Sequence, residues 1–86
     1  THRHIVTAAR RGRVAWMDSR RLSRIAKLAG APRAPADGLD LHKRLGDQVD
    51  KGEPLFTVHA ESPGELTYAL SYVAAHEDAV VVETER

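Results

Sequence analysis

Cysteine is absent from these 86 residues, which excludes a disulfide framework and any thiolate-held metal. That absence suits a cytoplasmic setting. Aromatic residues are nearly as scarce: one Trp, two Tyr and one Phe. A core must therefore be built from Leu, Val, Ile and Ala, with Trp16 and Phe56 as its large non-phenolic rings. No apolar run approaches the roughly 20 residues a membrane helix needs, and no signal-peptide pattern opens the chain. The first residue is Thr1 rather than Met and it leads almost directly into an apolar strand. A boundary inside a longer protein is expected, and removal of an initiator Met gives the same start. The length fits one small domain, residues 1–86, with a single core and no cleft between two lobes.

What is present is the balance of a globular chain, with 42% hydrophobic and 29% charged residues. Charge is distributed unevenly. Thr1 to Arg44 hold eleven of the thirteen basic residues and three acidic ones, Asp18, Asp37 and Asp40, a net of +8; Leu45 to Arg86 net −7, leaving +1 overall. The two halves can face each other or give the surface a dipolar charge distribution.

His4 to Ala9 is β-branched and predicts a strand. Arg10-Arg11-Gly12 predicts a turn, and Arg13 to Met17 a second strand linked hairpin-fashion to the first. Asp18 is placed to cap a helix whose Leu22, Ile25, Ala26, Leu28 and Ala29 share one face, with Arg20, Arg21, Arg24 and Lys27 on the other. Gly30 stands where a left-handed residue closes a helix, and Pro32 prevents continuation. Ala31 to Gly38 predict a loop, and Leu39 and Leu41, with Leu45 at its exit, a short strand.

Gly46 and Gly52 then flank a central Val49, which is expected to point inward while the glycines supply freedom at tight turns. Pro54 cannot donate to a ladder and so begins or edges the strand Leu55 to Ala60. Ser62-Pro63-Gly64-Glu65 is a capping box with proline at the first helical position. Leu66, Ala69, Leu70, Val73 and Ala74 follow at amphipathic spacing, and Ala79 to Val82 read as a final strand. The order β-β-α-β-β-β-α-β predicts an α+β fold rather than a doubly wound sheet.

The residues that carry chemistry elsewhere do not assemble into a motif here. His2 and His4 share one strand face, but His42, His59 and His76 are scattered and match neither H-E-x-x-H nor H-x-x-x-H, so no zinc site is expected. No G-x-S-x-G elbow is present, and Ser19, Ser23, Ser62 and Ser71 have helix-side or capping roles. Gly46 and Gly52 lack the G-K-[ST] continuation of a phosphate loop. Arg10, Arg11, Arg13, Arg20, Arg21, Arg24 and Lys27 form a basic cluster without interleaved aromatics. That pattern favours a solvated helix face, or one docked on an acidic neighbouring domain, over nucleic acid.

The run Gly46, Asp47, Val49, Gly52 and Leu55 resembles the half-barrel element of biotinyl and lipoyl carrier domains. Asp50-Lys51 is superficially like a carrier lysine, yet it lies inside the glycine-flanked element, with Gly52 following in place of Ala. The resemblance is to the fold and not to the carrier function. A stand-alone module of this hammerhead type is the alternative reading of the chain.

A second resemblance covers nearly all 86 residues. Gly12-Arg13-Val14 followed by Asp18, the helix ending Ala29-Gly30-Ala31-Pro32-Arg33, Gly38-Leu39-Asp40-Leu41, Leu45 through Leu55, and Val58-His59-Ala60 resemble, in order and spacing, the C-terminal domain of thymidine and pyrimidine-nucleoside phosphorylases. Ala60-Glu61-Ser62 resembles the long-chain branch of that family, which includes archaeal AMP phosphorylases. The resemblance implies a domain related to barrel-sandwich and hammerhead folds, preceded by a helical domain and a larger α/β domain as its partners. Such enzymes split a nucleoside or nucleotide with inorganic phosphate into a free base and a sugar 1-phosphate.

Phosphate sits in the α/β domain of these enzymes, and the base near its junction with the helical domain. None of those motifs lies in this chain, so no catalytic, cofactor-binding or metal residue is carried over. The resemblance further implies a cytoplasmic, homo-oligomeric parent enzyme. This domain is expected to be its structural buttress, with no membrane or nucleic-acid partner.

Overall fold

A computed structural model of the chain describes residues 2–30 and 38–84. The loop expected over Ala31 to Gly38, apart from Gly38 itself, lies outside the described residues, as do Pro32 and Arg33. The elements run β1 (His2–Thr7), β2 (Gly12–Met17), α1 (Ser19–Leu28), β3 (Leu39–Leu41), β4 (Gln48–Val49), β5 (Pro54–Ala60), α2 (Pro63–Ala75), a 3-10 turn (Glu77–Ala79) and β6 (Val80–Glu83). This is the predicted order, and the fold is α+β.

The strands form two three-stranded antiparallel sheets, β1-β5-β3 and β4-β2-β6. The early hairpin expected between β1 and β2 is therefore corrected: the two strands belong to different sheets. Their link is pinned by the glycine-flanked segment instead. The Ala8 amide donates to the Glu53 carbonyl at 2.9 Å, and the Gly52 amide donates to Ala8 at 2.8 Å. One turn earlier the Gly46 amide donates to Val14 at 2.8 Å, and the Val14 amide to Asp47 at 2.9 Å. Residues 46–53 thus stitch the end of β1 to the middle of β2. Gly46 and Gly52 take φ of 94° and 88°, backbone angles that L side chains resist. Val49 points inward, 2% exposed.

Both helices start as their sequences direct. Asp18 Oδ1 accepts the Arg20 and Arg21 amides, and Ser62 Oγ accepts the Glu65 amide at 3.2 Å while donating to the Glu65 carboxylate at 3.0 Å. That reciprocal pair satisfies an otherwise orphaned helix-start amide. Gly30, with φ 96°, closes α1, and the Ala29 carbonyl accepts the Glu61 amide, which ties the end of α1 to the start of α2.

Phe56, Ile25, Val14 and Val58 are the largest fully buried side chains. They come from β5, α1 and β2, so one core joins both sheets and the first helix. α2 lies further out: Ala69 is buried, Leu66, Leu70 and Val73 are partly covered, and Ala74 is exposed. Phe56 fills the core as expected, but Trp16 does not, being 58% exposed. The reason is a bulge. Val14 pairs with Val82 and Trp16 with Val81, so Ala15 is an extra residue. The inserted residue reverses the alternation, and the indole turns outward.

Candidate functional site

Strand alternation decides which side chains gather on the outer face of the β1-β5-β3 sheet. Phe56 and Val58 point into the core, so Thr57 and His59 point away from it. Their register partners are Ile5 and Arg3 on β1 and, opposite Thr57, Asp40 on β3. His42 and Lys43, just past β3, and Glu53, just before β5, complete an open concavity of about 440 Å³.

Its polar groups, Arg3 apart, are paired among themselves. His42 Nε2 shares a hydrogen bond of 2.6 Å with Thr57 Oγ1, His59 Nε2 lies 2.8 Å from Asp40 Oδ2, and Lys43 Nζ lies 2.9 Å from Glu53 Oε2. The hydrogen bond from the Lys43 ammonium, then the one from the Asp50 amide, hold the Glu53 carboxyl below its ordinary range. Thr57, the one buried polar side chain among the described residues, is only 5% exposed. A hydroxyl beside an imidazole is half of a nucleophilic arrangement. The other half, a third group orienting the imidazole, is not found on His42 among the described residues.

A second polar cluster was not legible in the sequence. Arg21, placed by periodicity on the solvated face of α1, has its Nε 3.2 Å from Asp78 Oδ1 and 3.6 Å from Asp18 Oδ2. Its guanidinium also hydrogen-bonds His76 Nδ1, and the His76 ring stacks obliquely on Tyr72 with centroids 4.3 Å apart. The cluster locks α1 to the end of α2 and to the 3-10 turn leading into β6. Only the Asp18–Arg21 spacing could have signalled it.

The remaining sequence candidates separate. Arg11 pairs with Asp50 at 3.4 Å and Arg13 with Glu83 at 3.9 Å, both on the surface. Arg10, Arg20, Arg24 and Lys27 are exposed. His2 and His4 sit on β1, opposite Ala60 and Val58. Among the described residues no three His, Cys, Asp or Glu side chains converge as metal ligands would. Lys51 is exposed in the tight turn after β4. A second opening, about 500 Å³, runs between the edges of the two sheets. Val6, Phe56, Val73, Val80 and Val82 line it, with Arg10, Glu77 and Asp78 also at its wall. No described helix is long and apolar enough to cross a membrane.

Comparison with known proteins places this architecture. Residues 13–78 match the family described as the pyrimidine nucleoside phosphorylase C-terminal domain. A protein of Sphingopyxis alaskensis named "Putative thymidine phosphorylase" is 61% identical over 74 residues, 86% of this chain and 14% of its own length. Similarly named proteins of Polaromonas and of Legionella pneumophila strain Corby are 56% and 48% identical over 94% and 92% of the chain, 16% and 15% of their own lengths. The chain thus spans about one seventh of the length of the curated relatives it matches. These matches do not favour the carrier-module alternative. The chain belongs to the pyrimidine nucleoside phosphorylase C-terminal domain family.

Proposed function

We propose that this chain, a single domain over residues 1–86, is the non-catalytic buttress of a phosphorylase whose chemistry lies in the rest of the polypeptide. In that reading the parent enzyme cleaves a pyrimidine nucleoside with inorganic phosphate, yielding the base and a pentose 1-phosphate. The relatives named "Putative thymidine phosphorylase" are several times longer than this chain, which leaves ample length for a catalytic part. The observation that carries the reading is the state of the polar groups. Glu53 and Asp78 are each engaged by a Lys or Arg of the same domain, Asp40 is hydrogen-bonded to His59, and the outer-sheet concavity is open. A surface whose charges neutralise one another is poor at stabilising the charge that develops in a transition state.

Support requires rigidity, and the fold supplies it at the seam between sheets. Four backbone hydrogen bonds from residues 46–53 hold β1 and β2 in fixed relation, and the Arg21 cluster fixes α1 to the opposite end. A domain built this way presents an unyielding surface to a neighbour. The parent is further read as cytoplasmic and homo-oligomeric.

Deleting this domain from the full-length enzyme tests the reading. Phosphate-dependent base release and thermal stability are measured alongside oligomeric state. A truncated enzyme that loses stability or changes its assembly supports the buttress. One that keeps its stability, assembly and turnover refutes it.

A further inference from the structure

α1 carries positive charge that no described residue of this domain neutralises. Its exposed positions include Arg20, Arg24 and Lys27, at i, i+4 and i+7. They therefore line one face over about 10 Å of helix. No described carboxylate forms an ion pair with any of the three. Six carboxylates face other partners: Asp18 and Asp78 with Arg21, Asp40 with His59, Asp50 with Arg11, Glu53 with Lys43 and Glu83 with Arg13. Asp47 accepts the Arg44 amide and Glu65 hydrogen-bonds Ser62, while Glu61 and Glu77 form no ion pair with the stripe.

The placement also works against the helix itself. Apart from the N-cap Asp18, no acidic residue stands at the start of α1, and Arg20 puts a cation at the positive end of the helix dipole. Arg20 with Arg24, and Arg24 with Lys27, are like-charge neighbours at repelling spacings. Folding this domain gains nothing from that arrangement. An anionic surface laid along the stripe would relieve both costs.

We propose that the outer face of α1, carrying Arg20, Arg24 and Lys27, is the surface through which this domain seats on an acidic face of the catalytic part of the same polypeptide. The proposal rests on the buttress reading and specifies its contact. Two observations select this occupant. The relatives extend far beyond this domain, which accounts for only 14% to 16% of their length, so the rest of the polypeptide is the surface a tethered helix meets at high effective concentration. α1 contains no aromatic residue on which a base could stack, which makes carboxylates a better match than a nucleic acid.

The test uses the full-length enzyme and its double variant R20E/R24E, with R44E/K51E as control. Arg44 and Lys51 are exposed and lie near the glycine-flanked turns, away from α1. The readout is the rate at which a protease cuts the junction ahead of His2, at salt from about 0.1 M, where screening reaches over about 10 Å, to about 1 M, where it reaches over about 3 Å. Like-charge juxtaposition across an interface is strongly unfavourable. The R20E/R24E variant is therefore expected to be cut on the order of tenfold faster than wild type at low salt, and high salt to bring wild type toward the variant. The control should match wild type.

Unchanged cleavage in R20E/R24E overturns the proposal. So does R20E/R24E cleaved like wild type while wild type alone binds a duplex oligonucleotide in a salt-dependent way, because the stripe would then serve phosphates. If the seat fails this test while domain deletion still destabilises the enzyme, only the contact face is wrong. If deletion has no effect either, the buttress reading falls with it.

Discussion

Gly12→Ala is the sharpest perturbation of this fold, because the obstacle is backbone. A methyl at Gly12 would lie 2.0 Å from the Glu83 carbonyl oxygen, 2.7 Å from its carbon and 3.1 Å from Val82 Cγ1. A carbon and an oxygen normally approach no closer than about 3.3 Å, so β2 and β6 must separate by roughly 1.3 Å. No rotamer change can provide that. The easier relief peels the end of β6 from β2 and loses the Arg13–Glu83 pairing. One or two ladder hydrogen bonds at about 1 kcal/mol each are then lost; the exposed Arg13–Glu83 ion pair adds little. Displacing the whole strand, with buried Val80, costs at least as much, about 1–3 kcal/mol.

The expected loss for Gly12→Ala is therefore about 2 kcal/mol, or a drop in Tm of roughly 10 °C for a domain of this size. Gly64→Ala is the matched control. A methyl there meets nothing within 4 Å, and the residue lies in the first turn of α2, so the same chemical change should be neutral or stabilising by up to about 1 kcal/mol. Urea unfolding followed by far-UV circular dichroism compares the three proteins. Wild-type stability in Gly12→Ala would refute the close approach of β2 and β6.

Gly52→Ala meets no neighbouring atom, so its cost is conformational, about 1–2 kcal/mol for an L residue at positive φ, read from the urea midpoint. Phe56→Ala should cost about 3–5 kcal/mol as a core truncation, whereas Trp16→Ala, on the outward side of the bulge, should stay within about 0.5 kcal/mol; equal effects would contradict the placement of the two rings. Glu53 has a folded-state pKa below its ordinary 4.5, so its pairing stabilises the fold above that pH and is lost as pH falls through the lowered value. Glu53→Gln should therefore show a weaker decline in stability below about pH 4.5 than wild type, and an identical acid limb would contradict the Lys43–Glu53 contact.

The local signals in the sequence were faithful. Asp18, Ser62, Pro63 and Gly30 mark helix ends because capping depends on residues within one turn, and Val49 and Pro54 behave as their neighbours require. Partner choice between strands was not legible. β1 pairs with β5 and β2 with β6, contacts between residues some 50 or more positions apart, and nothing in the β1–β2 stretch announces that the strands diverge. Trp16 was misplaced because one unpaired residue, Ala15, reverses alternation. The outer-sheet cluster escaped for a related reason. His42, Thr57, His59 and Asp40 come together only once β3 and β5 are in register, and each residue alone is an ordinary surface type. Arg21 fits the charged face of its helix by spacing, and only the distant His76 and Asp78 draw it out of solvent.

The central claim is that the reaction takes place outside this domain, and the outer-sheet cluster offers the most direct test of it. In the full-length enzyme carrying Thr57→Val, His42→Ala and His59→Ala, kcat for phosphate-dependent release of pyrimidine base should stay within about twofold of wild type. Loss of a general acid or base ordinarily lowers the rate by about 10²–10⁴. A fall of that size in a variant that remains folded and assembled would contradict the account.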